Sequence, residues 1–529
     1  MKFSEFIFCI QNHAYFPKYS KWIFAVLLLI FSIIYNYHNI LFKSSQSIHQ
    51  WRQCDCLSIT MNYYQDNNPF LEPAVHNLEG DGTGKAISEC PVLYYSIASL
   101  WKAFGYHEFF YRLIVLLFLF TGLFLIFKVF ESTLKDSILS MISALFLFTS
   151  PTLIYYANNF LMDIPAFSLA LIGLYFFFKF EQSTANKHLY WFAFFYAIAG
   201  LLKISSLLSF FAIFSLLVLE LFKVKLNPDR RIFKYPIKQT IVFIGVIFVQ
   251  IIWYTYAHKY NTQHHSENFL IGILPIWDMS LSEIKTTIHA INDHIKWDYF
   301  RKETQIIFLL IFTIVLAFHK KVNKLILLLT IITSVGFLAY ILLFFYPLKE
   351  HDYYTINLFI LVPIILFAFL RLLKNQFNFI YTSLVFRGIV IAFLIHNVDF
   401  ARRRISGRYN PEGWQNSYYI TNIRSFGEIS PYLRSLGINK EDRVISLSDN
   451  SINISLYLMN QKGWTNYGIN TDSLKIRQRI EQGAKYLLIS DIKTYDEQSV
   501  KPFITNKIGQ FNNIDIYKLI NTSNNVYKK

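Results

Sequence analysis

The chain has 529 residues, of which 54% are hydrophobic, 18% aromatic and only 16% charged. So apolar a composition over such a length excludes a string of soluble domains and places most of the chain in lipid. The net charge of +16 does not mark a nucleic-acid binder: the Lys and Arg residues sit in short stretches beside apolar runs, where the positive-inside rule accounts for them.

The first apolar run, Trp22 to Phe42, is long enough to span and lacks a small-residue cleavage site, so it reads as an anchor rather than a removable signal. Further spans are expected near 111–130, 138–156, 160–178, 189–202, 204–222, 239–257, 304–318, 325–346, 354–373 and 381–399, giving about eleven transmembrane helices. The run from Leu189 to Phe222 is interrupted only by Lys203 until Glu220, and is long for one crossing and short for two. Charge sets the parity. With two crossings there, Lys128 and Lys135, Lys179 and Lys187, the basic cluster from Lys223 to Lys238, Lys320 to Lys324, and Arg371 with Lys374 all fall on the cytoplasmic side. The N-terminus is then cytoplasmic, and the loops 43–110 and 258–303 and everything after about residue 400 lie outside.

Of the four cysteines, Cys9, Cys54, Cys56 and Cys90, Cys54 and Cys56 are too close to bridge each other. A bridge from either to Cys90 stays open beside the simpler reading of unpaired thiols, and a metal site is the weaker alternative. In the second loop, Ser280-Leu-Ser-Glu283 reads as a capping box, followed by Ile284, Ile288, Ile291 and Ile295 at helical spacing. This predicts an amphipathic helix, either lying in the membrane interface or packing on neighbouring spans. Residues 1–400 form the expected membrane domain and 401–529 a small extracytoplasmic α/β domain. Its strands are expected at 444–447, 486–489 and 514–519, its helices near 451–461 and 473–482, with starts at Ser430-Pro431 and Ser473 and stops at Gly437 and Gly483. It has no Gly-rich phosphate loop, so it reads as a structural or acceptor-contacting module.

Two carboxylates stand out beside the spans, where ionisable groups need a partner or a purpose: Asp55 in His49-Gln-Trp-Arg-Gln-Cys-Asp55, and Asp163 in Asn159-Phe-Leu-Met-Asp163-Ile-Pro165. With Ser150-Pro151 leading toward Asp163, Glu89-Cys-Pro91-Val-Leu-Tyr94-Tyr95, Arg112, Gly200-Leu-Leu-Lys203 and His351-Asp-Tyr-Tyr354 running on to Pro363, the order and sidedness of these motifs resemble the GT-C superfamily of polyprenyl-phosphate-sugar glycosyltransferases. The likeness is to bacterial relatives of dolichyl-phosphate-mannose:protein mannosyltransferases and to lipid A aminoarabinose transferases, and it covers residues 20–400. It departs at Arg52-Gln53-Cys54-Asp55, where many members carry an Asp-Glu pair, and at Cys90, where aminoarabinose transferases carry Lys.

The resemblance implies an α-helical, GT-C-like enzyme of the cell envelope, in the inner membrane. It would move a sugar from a polyprenyl-phosphate donor to a lipid, glycan or protein acceptor on the outer face, with inversion. Asp55 would be the general base. Asp163 would orient the acceptor or a cation. Arg52, Glu89, Arg112, Lys203, His351 and Tyr354 would serve the donor phosphate and substrate, with no dedicated metal or other cofactor required. The bland alternatives are a solvated loop acid for Asp55, a helix-start acid for Asp163 and snorkelling side chains for Arg112 and Lys203. A polytopic transporter or lipid flippase is the competing class, but it predicts midplane charges and internal repeats, whereas these acids lie toward the rim and the spans show no repeat. A third class is a non-enzymatic envelope assembly protein acting through residues 401–529.

Overall fold

The computed structural model describes residues 14–269, 272–410 and 419–520; Cys9 lies outside them. Among the described residues, eight helices are long and apolar enough to cross a membrane: Pro17–Ile34, Glu108–Leu134, Asp163–Ser183, Ile204–Leu221, Pro236–Gln263, Lys324–Leu343, Asp352–Gln376 and Leu384–Tyr409. The pair Ser137–Leu147 and Pro151–Ala157, bent by 78°, passes the same test only when taken together, as a broken span or a re-entrant loop. The remaining two expected segments are the helices Asn186–Leu202 and Lys302–Ala317, of 17 and 16 residues. The chain is a multi-pass membrane protein.

Two spans depart from expectation. The run 138–156, read as one apolar span, breaks before Pro151 because proline has no N–H to continue the ladder; Ser150 instead caps a new helix, its hydroxyl accepting from the Leu153 amide at 3.2 Å. The first helix ends at Ile34 rather than near Phe42, with Asn36 in the left-handed region at φ 61°. The ambiguous stretch from Leu189 to Phe222 resolves into two helices joined at Lys203, whose backbone is extended (φ −160°, ψ 116°).

The chain divides into two compact units. One comprises 1–42, 111–253 and 272–406, and the other 43–110, 254–271 and 407–529. In the helical unit, Asp163–Ser183 and Asn186–Leu202 pack closely: a Cβ on Gly173 would lie 2.5 Å from the Tyr196 ring, and the Tyr196 hydroxyl bonds Ser209 Oγ at 2.7 Å. Leu281–Ala290 starts with the expected capping box, Glu283 N–H donating to Ser280 Oγ and Ser280 N–H to the Glu283 carboxylate. Leu281 (76% exposed) and Ile288 (46%) lie uncovered along it.

The second unit is built on a five-stranded sheet of β1 (Arg443–Ser446), β2 (Gly463–Thr465), β3 (Ala484–Ile489), β4 (Lys507–Phe511) and β5 (Ile514–Lys518), in the order β2-β1-β3-β5-β4. β1 runs parallel to β2 and β3, and β5 antiparallel to β3 and β4. Because side chains alternate across a strand, Ile445, Leu487 and Ile489 fill one core while Val444, Leu488 and Ile516 fill another. Both faces are covered, as befits parallel strands. Gly437 and Gly483 close the preceding helices at φ 76° and 97°. β2 and β4 were not legible beforehand: β2 is a three-residue Gly-Trp-Thr, and β4 an edge strand containing Gly509.

The edge at β2 is covered by the first long loop. The Gly463 amide donates to the His76 carbonyl at 3.1 Å, its carbonyl accepts from Leu78 N–H at 2.8 Å, and Leu78 enters the Trp464 core. A Cβ on Gly463 would sit 1.9 Å from the Val444 carbonyl oxygen. Gly463→Ala is therefore expected to destabilise this unit by ~1–3 kcal/mol, the usual range for forced overpacking, read as a lowered midpoint in thermal unfolding of the detergent-solubilised protein.

Candidate active-site clusters

In the second unit, the helix Gln50–Gln65 carries Arg52 and Asp55 three residues apart, hence on one face. The turn before it is unusual. Ser47 and His49 both occupy the left-handed region, at φ 69° and 55°, which costs non-glycine residues of order 1 kcal/mol or more each. Gln50 and Gln53 hold that turn by donating to the carbonyls of Ser45, Gln46 and Ile48 at 2.8–3.0 Å.

Asp55 is only 3% exposed, so it is no solvated loop acid. Arg52 Nη1 lies 4.0 Å from its Oδ2, and Arg52 also pairs with Glu89. Glu89 accepts from Ser88 Oγ and, at 3.0 Å, from the Tyr94 hydroxyl. Burial pushes the Asp55 carboxyl up to about 7, against the opposing pull of Arg52 and of the Asn453 amide and with a smaller upward push from Glu89 and Asp449. A carboxylate poised near neutrality is what general-base catalysis asks for.

Cys54, Cys56 and Cys90 are buried free thiols. Burial pushes Cys56 up to about 12 and Cys90 to about 11, so neither supplies a thiolate nucleophile at neutral pH. Among the described residues, no three His, Cys, Asp or Glu side chains gather in a metal-holding geometry.

The helical unit brings together a second set. Lys203, at the break between two helices, places Nζ 3.6 Å from Asp163 Oδ1, which opens its own helix. The ammonium also lies 5.0 Å from the centre of the Tyr354 ring and 5.8 Å from that of Tyr353, in reach of cation–π attraction. The His351 ring is 5.3 Å from both tyrosine rings. Arg112 is fully buried. Its guanidinium donates to the Asn158 carbonyl and covers the Phe160 ring at 4.2 Å, so it braces the turn leading to Asp163 rather than snorkelling.

Of the residues singled out from sequence, Asp55, Arg52 and Glu89 thus meet in one unit, and Asp163, Lys203, His351 and Tyr354 in the other. Three polar contributors were missed. Tyr94 donates to Glu89. Asp352 accepts from Tyr156 at 2.5 Å. Asn453 bonds Asp55 at 2.8 Å. The first two lay inside quoted motifs; Asn453 had only its position after an apolar strand to mark it, and in parallel sheets functional groups gather beyond the carboxyl ends of strands.

Residues 88–253 match the family model described as dolichyl-phosphate-mannose-protein mannosyltransferase. That stretch holds Glu89, Arg112, Asp163 and Lys203. In fold, the chain is similar to ArnT from Cupriavidus metallidurans bound to undecaprenyl phosphate, with TM-score 0.60 and 10% identity over 94% of this chain and 98% of that one. It is also similar to an Archaeoglobus fulgidus oligosaccharyltransferase in complex with Zn and sulfate, with TM-score 0.54 and 10% identity over 88% and 68% of the two chains. No curated protein matches the chain in sequence. In fold the chain is thus similar to these two membrane transferases, and its residues 88–253 carry the pattern of the mannosyltransferase family model.

Proposed function

We propose that this enzyme transfers a sugar from a polyprenyl-phosphate donor to a hydroxyl of an envelope lipid, glycan or protein, on the outer face of the inner membrane and with inversion. The observation that carries the reading is Asp55: a buried carboxyl near neutrality, ion-paired at its edge and set on a rigid helix. The undecaprenyl phosphate held by the structurally similar ArnT supports the donor class.

The acceptor oxygen attacks the anomeric carbon from the face opposite the phosphate, and its proton passes to Asp55. The bond from the anomeric carbon to the phosphate oxygen breaks, and its electron pair leaves with the polyprenyl phosphate, which gains one negative charge. A cation answers that new charge. Lys203, 3.6 Å from Asp163 Oδ1 and facing the Tyr353 and Tyr354 rings, takes this role. Arg52 holds Glu89 and Asp55 in register, and Arg112 braces the Asp163 turn.

The test is transfer of labelled sugar by the purified protein in lipid across a panel of polyprenyl-phosphate sugars and acceptors. Turnover with one donor supports the reading; no turnover with any donor, alongside binding of an unmodified lipid or solute, favours a transporter. The same assay carries a pH prediction. Since the base works only when deprotonated and its carboxyl titrates at about 7, kcat/KM is expected to fall about tenfold per unit below pH 7 and level off above it.

A further inference from the structure

Asp55 has a partner from the far end of the sequence. Asn453, fully buried, donates from Nδ2 to Asp55 Oδ1 at 2.8 Å, while its own Oδ1 accepts from the Asn77 backbone N–H at 3.0 Å and from Ser58 Oγ at 3.4 Å. This fixes which way the amide faces. A backbone N–H can only donate, so the oxygen must point to Asn77 and the NH2 group to Asp55. An NH2 group cannot accept, so the contact favours the carboxylate over the neutral acid. It also engages Oδ1, which directs an arriving proton to Oδ2, the oxygen beside Arg52.

The segment presenting Asn453 is itself locked. It follows β1, and Asp449 accepts from the amides of Ser451 and Ser455 at 2.8 and 2.7 Å and from Ser455 Oγ at 2.7 Å. Ser451 Oγ in turn accepts from the Ile454 amide at 2.9 Å. Asn453 stands at the N-terminal end of the helix Ile454–Leu458 but does not cap it with its side chain, so local structure does not explain the amide. A buried polar group with no local duty, aimed at a buried carboxyl, needs a reason.

We infer that Asn453 is a positioning residue for the Asp55 base, holding the carboxylate by one oxygen so that the other receives the acceptor's proton. This rests on the reading of Asp55 as base, and it gives the C-terminal segment a part in the chemistry that its lack of a phosphate loop had hidden.

The test uses full-length wild type, Asn453→Ala, Asn453→Asp and Asp55→Asn in lipid, each checked for folding by thermal melt. Asn453→Asp keeps the acceptor toward Asn77 and exchanges only the donor for an oxygen, so it separates positioning from packing. Infrared titration follows the Asp55 carboxyl band, identified by its loss in Asp55→Asn, and needs no substrate. The midpoint is expected near 7 in wild type and at least one unit higher in Asn453→Ala. In the transfer assay, the acid limb of kcat/KM should move up by at least one unit in both Asn453 variants, with kcat/KM at pH 7 lower by about fivefold or more and recovery at higher pH. Folded Asn453 variants with the wild-type midpoint and pH profile overturn the inference while a silent Asp55→Asn leaves the base standing. An active Asp55→Asn overturns both.

Discussion

Asp55→Asn is expected to reduce sugar transfer by about 10²–10⁴-fold, the contribution typical of general acid–base catalysis, with the protein still folded. Asn is isosteric, and its side chain leaves the helix Gln50–Gln65 and the Arg52–Glu89 pair in place, so the loss isolates the proton acceptor from the architecture around it. The kinetic signature separates this from a binding defect. A base acts as the acceptor oxygen attacks, so the loss should fall on kcat and on kcat/KM alike, with KM for the donor little changed. The residual activity should also lose its acid limb, since no group titrating near 7 then governs the reaction. Single-turnover measurements with saturating donor check this directly.

Lys203→Met carries the second large effect, about 10²–10³ in kcat, comparable to removing one preorganised donor from a charge-developing centre. The reason lies in the change of charge. The donor phosphodiester bears one negative charge and the departing polyprenyl phosphate two, so an ammonium beside it binds the transition state more tightly than the ground state. Methionine keeps the length and apolar stem of the side chain while removing the charge that faces the Tyr353 and Tyr354 rings and that Asp163 pairs at 3.6 Å. The variant should lose turnover while retaining affinity for the donor lipid, measured by calorimetry in nanodiscs. Lys203→Arg should recover part of the rate. Arginine keeps the charge but spreads it over a planar fork that fits the site less well than a compact ammonium.

The spans were legible because lipid enforces a single rule: twenty or so apolar residues, with every backbone group bonded inside the helix. Strands 443–446, 484–489 and 514–518 were legible for a similar reason, as apolar runs between turn residues. The apolar run 138–156 bends because Ser150-Pro151 acts as a local start signal that hydropathy averages over. The acids and cations were found by charge placed against an apolar background, which is why Asp55, Asp163 and Lys203 stood out. Asn453 did not: a neutral amide carries no such contrast, and its partner lies 398 positions away, beyond any spacing argument. Neighbourhood in the fold decided its role, and neighbourhood between distant segments is what periodicity cannot report.

That long separation also gives the protein an order in time. Ribosomes deliver the N-terminal end first, so the strand-like stretch His76–Leu78 and the helix bearing Asp55 exist well before Gly463 can cover one and Asn453 can engage the other. A nascent chain released after its last apolar helix would hold its full set of membrane segments, yet its carboxyl would have no amide beside it and its loop no sheet edge to join. The segment from β1 to β2 must therefore be made before the Asp55 carboxyl gains its amide partner and the loop its sheet edge.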